Sequence, residues 1–222
     1  MNIKLRIKLS FIAAALPVLT GATALADPVY DFGATPSSMP SSSSWIYTSG
    51  GISITASGYA TPGGAAMALF TKLDGPGETG LGFVNGGPEN EISSTNFMQL
   101  DVSNLLFNGI TSLTVGIGSL QTGEQAIFSL SSVSGQLGAT PIDTLTGGPV
   151  EQGYTVSLVP GVDFIDITGG GPNSSSGAAS GDVVLETASA HFSAVPDQGS
   201  TALLTCLGLL GLCCLARSRR TA

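Results

Sequence analysis

Apolar and polar positions alternate with a period of two along most of the chain's middle. Ile52, Ile54 and Ala56 alternate with Ser53, Thr55 and Ser57. Phe97, Gln99 and Asp101 interleave with Met98, Leu100 and Val102, and Leu113, Val115 and Ile117 with Thr114 and Gly116. Ala126, Phe128 and Leu130 alternate with Ile127 and Ser129. Shorter apolar runs fall at 66–70, 81–84, 154–158 and 162–167, and a long one at 183–195. A two-residue period places one set of side chains on each face of a strand, as in half-buried antiparallel sheets. Gly and Pro clusters fill the gaps, as in Pro62-Gly63-Gly64, Gly86-Gly87-Pro88 and Gly169-Gly170-Gly171-Pro172. These are turn formers. One short helical turn is expected over 102–107, capped by Asp101 or Ser103. The pattern predicts an all-β domain over 27–194, an antiparallel β-sandwich of jelly-roll type.

Both ends break this pattern. Lys4, Arg6 and Lys8 precede an apolar stretch from Leu9 to Leu19, and Ala24-Leu25-Ala26 follows. That order predicts an N-terminal signal helix within residues 1–26, removed by signal peptidase at the small residues Ala24 and Ala26. At the other end Ala202 to Ala216 is leucine-rich all the way round, and Arg217, Arg219 and Arg220 follow. It predicts a C-terminal hydrophobic, transmembrane-like helix over 202–216, with the basic cluster 217–220 held on the cytoplasmic side. Its 15 residues make about 22 Å at 1.5 Å per residue, short of the usual span of roughly 20 residues. The expected topology puts the domain outside and anchors it transiently in the inner membrane.

The tail as a whole, residues 195–220, resembles the tripartite tails of PEP-CTERM proteins. It is closest to the variant whose signature begins Val-Pro-Asp-Ser-Gly. Here the signature at 195–201 is Val195-Pro196-Asp197-Gln198-Gly199-Ser200-Thr201, with Gln198 where that variant has Ser. The resemblance implies processing by an exosortase-like membrane protease near Pro196. It also implies delivery to the cell surface or extracellular matrix of a Gram-negative bacterium that makes exopolysaccharide. A second pattern, Gly80-Leu81-Gly82-Phe83 with Asn90-Glu91-Ile92 and Gln99-Leu100-Asp101, resembles β-sandwich domains that carry such tails.

Charge narrows the function. Lys72 is the one basic residue of 27–194, against fourteen acidic ones. Nucleic acid is excluded as a partner, because nothing neutralises phosphates. All three cysteines lie at 206–214, so the domain has no disulfide. His191 is the one histidine, and no Gly-x-Ser-x-Gly elbow occurs. No catalytic residue is assigned and no cofactor is expected, except that Asp74, Glu89, Glu91 and Asp101 are candidates for a structural Ca²⁺ site. Solvated acidic loops are the alternative. Trp45, Tyr47 and Tyr59 are candidate carbohydrate contacts, or, for Trp45, a first-strand core residue. The sequence therefore reads as a non-enzymatic surface or matrix protein that binds exopolysaccharide. The alternatives are a secreted polysaccharide hydrolase and a self-assembling matrix component.

Overall fold

The alternating segments become strands that pair into two antiparallel sheets. The structure is a computed structural model and describes residues 26–34, 42–61, 63–73, 78–84, 90–148, 152–171 and 182–192. In chain order the elements are β1 (Val29–Asp31), β2 (Ser44–Ser49), β3 (Ile52–Ala60), β4 (Leu69–Leu73), β5 (Thr79–Phe83) and β6 (Asn96–Asp101). They continue with α1 (Ser103–Phe107), β7 (Ile110–Gly118), β8 (Gln125–Ser131), β9 (Pro141–Thr146), β10 (Gln152–Ser157), β11 (Phe164–Gly170) and β12 (Val184–Phe192). All belong to one unit, Ala26–Ala194.

The first sheet runs β10-β7-β12-β5-β4, and β1 also pairs with β12. One edge of β12 is thus shared, with Leu81 of β5 opposite Leu185 and Val29 of β1 opposite Ser189. The second sheet runs β2-β3-β6-β11-β8-β9. A single apolar cluster draws on the inward residues of both sheets, among them Trp45, Ile54, Phe83, Leu100, Val115 and Ile165. Burying each such side chain contributes about 1.5–3 kcal/mol. Phe32 meets Tyr47 edge-on within it, with ring centroids 4.6 Å apart.

Two strands, β1 and β9, escape the sequence pattern. β1 has three residues, while β2, the strand expected around Trp45, starts on Ser44, the last of a serine run. β9 is an edge strand whose side chains are exposed apart from a half-buried Leu145. With no core face to serve, it carries no alternation. The expected helical turn is present as α1, but its N-cap residue is Val102, with no side-chain cap bond; the Asp101 carboxylate instead accepts the Ser103 backbone N–H at 3.0 Å.

The expected terminal helices require correction. Among the described residues the one helix is the five-residue α1, and none is long and apolar enough to cross a membrane. The signal helix within 1–26 and the hydrophobic helix over 202–216 fall outside the described residues, apart from exposed Ala26. The transmembrane reading of 202–216, and transient inner-membrane anchoring by it, are therefore withdrawn. The physical weakness was already present in the length, since about 22 Å of helix falls short of a hydrocarbon core of roughly 30 Å.

Candidate functional site

The outward face of the second sheet should be polar and wet. Instead β6 is buried on both faces, because residues 132–140 run back across it as a strap between β8 and β9. Two side chains from adjacent strands hold the strap down. Gln99 on β6 donates through Nε2 to the carbonyls of Val133 (3.3 Å) and Gln136 (3.4 Å), and its Oε1 accepts the Gly135 N–H at 2.9 Å. Asp166 on β11 sits beside it, in register with Gln99. Its Oδ1 accepts from Gln99 Nε2 and its Oδ2 from the Gly138 N–H, both at 2.8 Å.

Asp166 is fully buried. Burial raises its pKa from 3.8 to about 6, and the bonds from Gln99 and Gly138 offset part of that rise. Desolvation disfavours the charged form, and donors to the carboxylate favour it. Gly138 has a steric reason to be glycine, since a Cβ there would lie 2.3 Å from the Leu130 carbonyl oxygen. Gly138→Ala is expected to lift the strap and to destabilise the unit by about 1–3 kcal/mol. Urea titration monitored by circular dichroism measures that change.

Between the strap and the turn after β3 lies a cleft of about 390 Å³, lined by Thr61, Gly63, Phe97, Gly135, Gln136 and Leu137. Phe97 forms its apolar floor. The half-exposed Tyr59 stacks on Phe97 with centroids 5.3 Å apart, and its hydroxyl meets Ser134 Oγ at 3.0 Å. The cleft thus combines main-chain groups of the strap and the Gln136 side chain with the Tyr59 ring beside it.

A second polar cluster lies on the first sheet. Lys72 on β4 faces away from the core side occupied by Leu69, yet it is 3% exposed. The chain at Asn90–Glu91 covers it. Gly82 makes room for that passage, because a Cβ there would lie 2.1 Å from the Asn90 carbonyl oxygen. Lys72 Nζ is 2.5 Å from Glu91 Oε1 and 3.7 Å from Glu78 Oε2. Ser119 Oγ donates to the same Glu91 oxygen at 2.8 Å. Asn90 and Ser119 are the two non-glycine residues with positive φ among the described residues.

His191 forms a third arrangement. Its Nδ1 lies 3.0 Å from Asp27 Oδ2 and its Nε2 3.0 Å from Thr114 Oγ1. The order acid, imidazole, hydroxyl is that of a nucleophilic triad. Thr114, however, sits in mid-strand with β7 paired on both edges, to Thr155 and to Ser189. The neighbouring backbone N–H groups serve the ladders and are not free to stabilise an oxyanion.

The sequence candidates scatter over these places. Trp45 and Tyr47 are 2% and 7% exposed in the core, opposite Ala56 and Ile54 of β3. They offer no ring face to a sugar. Tyr59 points to the other side of the same sheet and lies at the cleft. Of the calcium candidates, Glu91 and Asp101 are among the described residues. Glu91 is bound to Lys72 and Ser119, and Asp101 to Ser103 N and Oγ. Asp74 and Glu89 lie outside the described residues, as do Ala24 and the sorting residues Val195, Pro196, Asp197, Gly199, Ser200, Thr201, Arg217, Arg219 and Arg220. Among the described residues no group of three or more His, Cys, Asp or Glu is placed to hold a metal ion. Sequence reading missed the pairing of Gln99 with Asp166. The available signal was an acid flanked by Ile165 and Ile167 in a central strand.

Comparison with known proteins adds one firm identification. A VPDSG-CTERM motif is present at residues 194–220. It marks the chain as a surface protein processed by an exosortase-type enzyme. No curated protein matches the sequence. Among solved structures, the tandem CBM51 modules of a family 98 glycoside hydrolase from Streptococcus pneumoniae are similar at 12% identity, with a TM-score of 0.33. The likeness covers 59% of this chain and 38% of that one.

Proposed function

We propose that the Ala26–Ala194 unit is a non-enzymatic surface module that binds extracellular polysaccharide in the cleft over Phe97. The observation that carries this reading is the cleft itself. The half-exposed Tyr59 ring, backed by the buried Phe97, supplies an apolar face beside the cleft, and Gln136 and the strap backbone supply hydrogen-bonding groups for sugar hydroxyls. Sites for small ligands combine these features, an apolar lining with a few placed polar groups. The domain's acidity repels polyanions, so the reading is for neutral or amino-sugar polymers. A hydrolase reading draws no support here, since the described residues lining the cleft include no carboxylate to act as acid or base.

Affinity electrophoresis of the chain through gels containing exopolysaccharide tests the proposal. The wild-type chain is expected to be retarded. Tyr59→Ala is expected to weaken binding by roughly tenfold, the effect of removing one aromatic contact of about 1.4 kcal/mol. Equal mobility with and without polymer for the wild type would overturn the reading. So would unaltered retardation of Tyr59→Ala.

A further inference from the structure

We propose that Lys72 and Glu91 condense into an intramolecular isopeptide bond that staples β4 to the chain segment entering β6. The two residues are 19 apart in sequence, and both are buried, at 3% and 2% exposure. Lys72 is the sole basic residue of 27–194, and it is spent inside the fold. A buried ion pair is weak as a stabiliser, because desolvating two charges offsets most of their attraction. A neutral amide joining Lys72 Nζ to Glu91 Cδ carries no charge and so has no such penalty.

The surrounding groups fit the reaction. Nζ lies within hydrogen-bond contact of Glu91 Oε1, at 2.5 Å. It is therefore already in contact with the carboxyl group whose carbon it would attack. Reactive groups held in contact need no further encounter. Ser119 donates to that oxygen from a left-handed backbone at φ 57° while 1% exposed. Strained, buried residues of this kind are retained where the surroundings enforce them, often at reactive sites. The Ser119 bond polarises the carboxyl carbon. Glu78, half-exposed at 3.7 Å from Nζ, stands where a proton carrier is required.

The step balances without a co-reactant. A proton passes from the Lys72 ammonium to Glu91, leaving a neutral amine and a neutral acid. The Nζ lone pair adds to Glu91 Cδ, and a proton from nitrogen goes to Glu78. Glu78 returns it to the departing Glu91 hydroxyl, the C–O bond breaks, and one water leaves. An amide remains and nothing is oxidised or reduced. In an exported unit without cysteine, this bond does the work of a disulfide. It also pins an edge strand that would otherwise be free to peel away or to pair with another chain.

The test uses the purified full chain. Its intact mass is expected to be lower than the sequence mass by one water. Lys72–Leu73 is the one bond after Lys or Arg between residues 27 and 194, so trypsin reports the state of Lys72 directly. The denatured chain is expected to resist cleavage there, since trypsin does not cut after an acylated lysine. Lys72→Arg and Glu91→Ala are expected to restore full mass. Glu78→Gln is expected to slow the mass loss after refolding. Wild-type chain of full mass, cut after Lys72 once denatured, would overturn the proposal. A water lost elsewhere, with Lys72 still cut, would overturn it equally. Neither outcome depends on a variant's ability to fold.

Discussion

Trp45→Ala is expected to destabilise the Ala26–Ala194 unit by about 3–5 kcal/mol, while polysaccharide binding by the folded fraction is unchanged. The indole is 2% exposed in the apolar cluster shared by the two sheets. Truncation removes its transfer energy and leaves a cavity that neighbouring strands cannot fill, because their positions are fixed by ladder bonds. Urea denaturation measures the loss, and affinity electrophoresis below the transition measures binding. Trp45→Phe is expected to cost no more than about 1.5 kcal/mol, because the indole Nε1 is buried and has no acceptor among the described residues. A binding defect in Trp45→Ala without a stability loss would place the indole on a recognition surface instead of in the core.

The second large effect concerns Asp166 and has a defined pH signature. Its pKa is about 6 in the folded chain, against 3.8 for the free group. Between these values the folded state holds a proton that the unfolded state has lost. Stability then falls as pH rises, because proton uptake favours whichever state binds more protons. The contribution is fully present below about pH 4 and is lost by about pH 6 and above. A shift of roughly two units corresponds to about 3 kcal/mol. Asp166→Asn removes this titration and leaves the other carboxylates in place. Relative to Asp166→Asn, the wild type is expected to lose about 3 kcal/mol of stability between pH 4 and pH 7.5. Urea titrations of the two chains across that range give the difference. A difference that does not change with pH would show that Asp166 titrates alike in the folded and unfolded chains. Asp166→Ala removes the acceptor from the Gly138 N–H and from Gln99 Nε2. It is expected to free the strap and abolish cleft binding at any pH.

Asp166 and Gln99 also mark the limit of what alternation reveals. In β6 and β11 a two-residue period assigns Leu100, Ile165 and Ile167 to the core, and the structure places them there. The same rule assigns Gln99 and Asp166 to solvent, yet they are 1% and 0% exposed. The rule describes one face packed and one face wet. It has no knowledge of a segment some thirty residues away in sequence that returns to cover the wet face (Gln99 to Val133 spans 34 residues). Lys72 and Glu91 are buried for a similar reason, through the passage of Asn90–Glu91 over Gly82. Trp45 and Tyr59 share ring chemistry and lie near each other in sequence, but they stand on opposite faces of one sheet. Parity decides this, since Trp45 pairs with Ala56 on the inward side while Tyr59, three positions beyond it, is on the outward side.

The all-β class, most of the strands, the lack of cysteine in 27–194 and the VPDSG-CTERM motif are legible in the residues alone. Each of these is written locally, in residue type, two-residue period or contiguous signature. The strand order, the burial of Tyr47, the strap over β6 and β11, and the meeting of Lys72 with Glu91 came from the tertiary structure alone. Those features arise from long-range pairing, in which backbone hydrogen bonds and steric room at glycine fix which distant segments lie together. No local pattern encodes that choice.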